Sequence, residues 1–268
     1  MAQKRFWTEM TWTDFQAADM LKTIAILPVA AVEQHGPHLP VGVDAAIMDG
    51  YLRLVCERLP DDLAALFLPV QTIGVSIEHT EFPGTLSLAS DDAARAWRGI
   101  AESVYRAGCR KLVIVNSHGG NVAALDALAR ELRARLGMLC VVASWHRFGY
   151  PDGLFTSQEI RHGIHAGDIE TSLMLAFRPD LVRNDEIADC PSASLEMERD
   201  FTWLRPGSPI GFGWMSQDLH ESGAIGDATQ ASADKGAAAA DYGATAFIEL
   251  LQDVEEFDLS RLVPGPLA

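Results

Sequence analysis

The chain has 268 residues, 48% of them hydrophobic, and its 21 basic against 37 acidic side chains give a formal charge of −16. That length suits one large domain with a packed core, so disorder as the main state is excluded. So acidic a body repels nucleic acid and anionic membrane surfaces, which leaves small molecules and metal cations as the expected partners.

In chain order, the opening MAQKRFWTEMTWTDF lacks a hydrophobic signal core, and no apolar run reaches the ~18 residues of a membrane span. A cytoplasmic protein is the expectation. Four apolar runs then predict strands at Thr23–Val32, Leu63–Ile73, Lys111–Asn116 and Met138–Ser144. Helical spacing fills the gaps at Ala46–Leu59, Asp91–Ala107 and Val122–Leu136, the second with Ser90 as its start signal. Strand and helix in strict alternation predict an α/β fold with a mainly parallel sheet between helical layers. Beyond Tyr150 the pattern loosens, except for helices at Asp168–Phe177 and about Ser232–Asp253, where the run GAAAADYGA allows close helix approach. No repeat or linker interrupts the chain, which reads as one domain over 1–268. Cys56, Cys109, Cys140 and Cys190 form no CxxC pair and read as thiols in apolar surroundings.

Chemistry concentrates where the predicted strands end, which is where parallel sheets bind ligands. Glu33 and His35 alternate by two after the first strand, so persisting strand geometry points them the same way, and Asp44 follows at the next helix. His118 follows the third strand beside Gly119 and Gly120, where backbone can approach a ligand closely. Carboxylates with imidazoles are the ligand set of Zn²⁺, Mn²⁺ or Fe²⁺. A third cluster, His162 to Ser172, offers His165, Asp168 and Glu170; Asp168 reads as a cap or surface carboxylate. Without a GxxxxGK[ST] phosphate loop, a nucleotide enzyme is disfavoured.

The segments EQHGPHLPVGVD, NSHGGN and HAGDIETSLML resemble the three motifs of the creatininase (creatinine amidohydrolase) family, usually written EQHGxHLPxxTD, NGHGGN and HxGxxETS. The late stretches Gly223–Ala228 and Ala231–Gly236 resemble the family's GDP…AS.EKG ending. The resemblance implies a three-layer α/β/α fold, commonly hexameric, and a binuclear metal amidohydrolase. It implies one metal on Glu33, Asp44 and His118 and a second on His35 and Asp44, with Asp44 bridging. Creatinine-hydrolysing members complete the second site with a glutamate two residues past the motif histidine, where this chain has Gly120; Glu170 is the candidate replacement. His165 matches a proton-transferring histidine and Trp145 a pocket aromatic, while Ser117 and Gly119 flank His118 as candidate substrate contacts. A further pocket tryptophan has no counterpart, since Glu159, Ile160 and Arg161 stand there. The expected substrate is thus a small cyclic amide or formamide rather than creatinine itself. The rivals are ring opening of a keto-cyclitol and a non-catalytic metal-binding role.

Overall fold

The computed structural model describes residues 4–266. Four parallel strands form the central sheet: β1 (Ile24–Val29), β2 (Ala65–Phe67), β3 (Lys111–Asn116) and β4 (Leu139–Ser144), in the order β2-β1-β3-β4. All residues of β1 and β3 are buried, as expected of strands covered on both faces. Helices α1 (Trp12–Ala17), α2 (Val43–Arg58), α3 (Ser90–Arg106), α4 (Val122–Leu136), α5 (Ser157–His162), α6 (Asp168–Phe177), α7 (Ser194–Asp200), α8 (Ser216–Leu219) and α9 (Ala233–Glu256) surround the sheet, joined by loops. A short antiparallel pair, β5 (Asp189–Cys190) and β6 (Gly226–Asp227), ties two late loops together.

The pleat of β1 sorts the core into two halves. Ile24 and Ile26 face α2, α6 and α9, whereas Ala25, Leu27 and Val29 face α3 and α4, which completes three α/β/α layers. Helix α9 lies very close to α6: a Cβ on Gly236 would stand 1.8 Å from the Ser172 carbonyl oxygen. The small residues of α9 therefore do what their spacing suggested.

The elements depart from the sequence reading in places. The second strand contracts from Leu63–Ile73 to Ala65–Phe67, because beyond Phe67 the chain runs as a loop with prolines at positions 69 and 83. Ala89 is the N-cap of α3 and makes no side-chain capping bond, so Ser90 is the first helical residue and not the cap. Of the four thiols Cys109 and Cys190 are buried, while Cys56 and Cys140 are partly so.

Candidate metal centre

Neighbours of β1 were joined in both directions along the chain: the crossover through α2 leads to β2 on one side, and that through α3 leads to β3 on the other. The reversal opens a crevice at the carboxyl ends of β1 and β3. Into it converge Glu33 from the β1 loop, Asp44 from the first turn of α2, His79 from the β2 loop, His118 after β3, and His165 and Glu170 around the start of α6. Ser117 and Gly119 line the same cleft of about 290 Å³, together with Glu78, Gly120, Ile164 and Trp214.

Three side-chain groups bring ligand atoms within 4.8 Å of one another: Glu33, His35 and Asp44; His35, His165 and Glu170; and Glu33, His79 and His165. The His118 Nδ1 lies 3.1 Å from Glu33 Oε1 and 3.9 Å from Asp44 Oδ2, and the His35 Nε2 lies 3.9 Å from Asp44 Oδ2 and 3.8 Å from Glu170 Oε2. Two ligands each ~2.1 Å from a common ion at a tetrahedral angle stand about 3.4 Å apart, which is the scale of these spans.

Backbone carbonyls fix the imidazoles. His35 Nδ1–H donates to the Glu33 carbonyl at 2.9 Å, His118 Nε2–H to the Val75 carbonyl at 2.7 Å, and His165 Nε2–H to the Gln34 carbonyl at 2.5 Å. Each ring thus turns its other nitrogen toward the carboxylates, the arrangement that orients a metal-ligating histidine. His79 is reversed. The Gln34 side-chain amide, its oxygen occupied by Gly36 N–H at 2.9 Å, donates to His79 Nδ1 at 2.8 Å. The His79 proton therefore sits on Nε2, 3.3 Å from Glu33 Oε1, and this ring holds Glu33 rather than offering a lone pair.

Charge in the cluster is finely opposed. Burial disfavours ionised Glu33, but His118, His165 and His79 outweigh it and hold the carboxyl far below its usual range. Burial likewise opposes protonation of His118, yet Glu33, Asp44 and Glu78 raise it to about 10. Burial and the Glu33 charge push Asp44 well above the ordinary aspartate value, and burial and His165 push His35 well below the ordinary histidine value. Three buried atoms of the cluster, Glu33 Oε2, His35 Nε2 and Asp44 Oδ2, have no hydrogen-bond partner among the described residues. All three are lone-pair atoms, and a cation is the partner that would satisfy them together.

Ala166 takes a left-handed φ of 55° between His165 and Gly167, and its N–H donates to Glu170 Oε2 at 2.6 Å. That turn brings both side chains to the cluster. Asp168 turns away and is neither a cap nor a surface carboxylate: it is buried, accepting from Lys235 Nζ at 2.6 Å and from Ser172 Oγ at 3.0 Å.

Trp145 departs from its expected place in the pocket wall. It stacks on Tyr51 at 4.0 Å between ring centroids and packs against Phe247 in the core, because the short helical turn after β4 (Trp145–Phe148) folds it under α9. The aromatic lining the cleft is Trp214. His79, Glu78 and Gln34 escaped the sequence reading; the available signal was an acid–histidine pair following the second parallel strand, at the same sheet edge as the others.

An open parallel sheet with a buried histidine and carboxylate cluster in its switch-point crevice defines an α/β protein with a candidate metal centre. Its family follows from comparison: the profile described as Creatininase: Creatinine amidohydrolase matches residues 8–251, and the chain belongs to the creatininase family. It is 34% identical over 215 residues to the creatinine amidohydrolase of Pseudomonas putida, covering 72% of this chain and 80% of that one. It is 34% identical over 233 residues to the mycofactocin precursor peptide peptidase of Mycolicibacterium smegmatis, covering 84% and 83%. Among solved structures, one titled "Creatininase Mn" superposes with a TM-score of 0.72 at 27% identity, covering 94% of this chain and 98% of that one.

Proposed function

We propose that this chain is a divalent-metal-dependent amidohydrolase that cleaves a C–N bond of a small amide. The observation that carries the reading is the trio of buried, unpartnered acceptor atoms on Glu33, His35 and Asp44, within ligand distance of one another. The relatives support it, since creatinine amidohydrolase and a peptide peptidase both carry amide-cleaving names.

Glu33, Asp44 and His118 would hold one cation, and His35, Asp44 and Glu170 a second, with Asp44 shared. When bound, Zn²⁺, Mn²⁺ or Fe²⁺ there supplies Lewis acidity for the carbonyl and lowers the pKa of water toward neutrality. His79 keeps the Glu33 carboxylate aimed inward through its Nε2–H. Ser117 Oγ donates to the Asp44 carbonyl at 2.9 Å and so fixes the first turn of α2 against the β3 loop. His165 turns Nδ1 into the cleft, 3.7 Å from Glu33 Oε1 and 4.0 Å from Glu170 Oε2. That lone pair accepts a proton from the attacking water and returns it to the leaving nitrogen, as general base and then general acid. Ser117 and Gly119 border the substrate space, which takes a small cyclic amide, a formamide or the amide at the end of a short chain. A homohexamer, implied by the family resemblance, belongs to the same proposal.

Elemental analysis of purified protein, coupled to release of ammonia or amine from creatinine, formamides and amino-acid amides, tests the reading. It predicts divalent metal in the protein and amide hydrolysis abolished by chelation and restored by Zn²⁺ or Mn²⁺. Metal-replete protein inert toward every amide overturns it.

A further inference from the structure

One carboxylate of the cleft is left over from the cluster. Glu78 stands in a single helical turn, Ile77–His79, after β2, and its side chain lines the cleft. It belongs to none of the three ligand groups. Its nearest basic group is His118 Nε2 at 4.0 Å, on the ring edge opposite the Nδ1 that faces Glu33 and Asp44. That N–H is already donated to the Val75 carbonyl at 2.7 Å, and among the described residues no Lys or Arg lies within 4.0 Å of Glu78.

Gly120 borders the Glu78 carboxylate. A Cβ built on Gly120 would stand 2.7 Å from Glu78 Oε1 and 2.3 Å from the Val75 carbonyl oxygen. With His118 Nε2 at 2.5 Å as well, the space at position 120 is closed to any side chain, and the Glu78 carboxylate stands at its edge. Also lining the cleft, Ile164 and Trp214 contribute apolar surface; the Trp214 Nε1–H is spent on the Pro206 carbonyl at 2.9 Å. A lone carboxylate within a cleft that also has an apolar wall selects a positive charge attached to a hydrophobic body.

We infer that Glu78 is a specificity-determining residue that binds the ammonium group of the substrate, so that the preferred substrates are amides carrying a free amino group close to the scissile bond. This rests on the amidohydrolase reading and narrows it. The carboxylate stands 4.0 Å from the imidazole of His118, itself a proposed metal ligand, so the ammonium it holds is near the reacting carbonyl. Among the described residues Glu78 makes no side-chain hydrogen bond, so Glu78→Gln is nearly isosteric and leaves no donor stranded.

The test titrates zinc-loaded wild type and Glu78→Gln with leucinamide and N-acetyl-leucinamide at pH 7 by calorimetry, and follows ammonia release from both in parallel. In the wild type leucinamide binds at least about tenfold tighter than its acetylated form, as a charge-assisted contact provides. In Glu78→Gln that ratio falls to near one, while zinc content matches wild type and Glu78→Asp recovers part of the preference. Equal binding of the two probes to wild type, binding of neither, or a preference that survives in Glu78→Gln overturns the assignment. Discrimination lost in the variant without hydrolysis of either amide keeps Glu78 as the ammonium site, and inertness that extends to creatinine and formamides as well removes the amidohydrolase reading. Hydrolysis of both amides with no preference does the reverse.

Discussion

Glu159 provides a measurable stability signal outside the proposed ligand set. Its side chain is 7% exposed and lies in a cradle of three glycines: a Cβ on Gly163, Gly167 or Gly226 would come within 2.3, 2.4 and 3.2 Å of the carboxylate. Burial first, then repulsion from Asp168 and Glu170, pushes it up to about 7 against the opposing N–H donors of Ile169 and Asp227. A folded-state value above the unfolded 4.5 means that the neutral acid is the form the fold prefers. The resulting stability is complete below about pH 4.5 and is lost as pH rises through 7. At 1.36 kcal/mol per decade, the loss between pH 5 and 8 comes to about 2.5 kcal/mol. Urea denaturation of wild type and Glu159→Gln at pH 5, 6, 7 and 8, with metal chelated in both, isolates this group because every other titration cancels in the difference. The wild type should lose about 2.5 kcal/mol relative to the variant across that range. Two stability curves that run parallel within ~0.5 kcal/mol would refute the account of the cradle.

Asp44→Ala should lower metal content more than any other single ligand change, because the shared carboxylate serves both cations; elemental analysis of the purified variants checks it, and wild-type content in Asp44→Ala would end the bridging role. Glu170→Gln should empty the site on His35 and keep that on His118, with the fold intact because an amide oxygen still accepts from Ala166 N–H. His165→Ala should retain metal yet lose ~10²- to 10⁴-fold in turnover; a metal-replete variant turning over at the wild-type rate removes it from proton transfer. Gly236→Ala should destabilise by about 1 to 3 kcal/mol, since the new methyl meets the Ser172 backbone carbonyl and the helices must part. Thermal melts of Gly236→Ala beside Ala237→Gly, a change of helix propensity without that clash, separate the two causes.

Much of this was readable because the two long central strands are buried on both faces and show as apolar runs: Lys111–Asn116 and the helices Val122–Leu136 and Asp168–Phe177 stand where the sequence placed them. Glu33, His35, Asp44 and His118 followed from strand ends and came together as a parallel sheet requires. Glu78 and His79 did not, because β2 has three residues and the segment after it carries no periodicity to locate its end. Trp145 misled for a different reason: a strand-end aromatic can turn either into the cleft or under the neighbouring helix, and the stacking on Tyr51, distant in sequence, decides it. The pair β5–β6, two residues each, is too short to leave any alternation.

Gln34 has a consequence for the order in which the molecule assembles. Its side chain and carbonyl reach His79, His165 and Gly223, partners 45, 131 and 189 residues further along the chain. Contacts of such span cost loop-closure entropy before they return any stabilisation, so they are poor seeds for folding. The sheet and its helices can condense first, and the knot around Gln34 tightens on a scaffold already in place. Stabilisation gained so late retards escape from the native state far more than it hastens arrival there. A bound cation, which joins the same loops, would act as a clasp on unfolding, and the protein's lifetime would then follow the supply of metal more closely than its rate of maturation does.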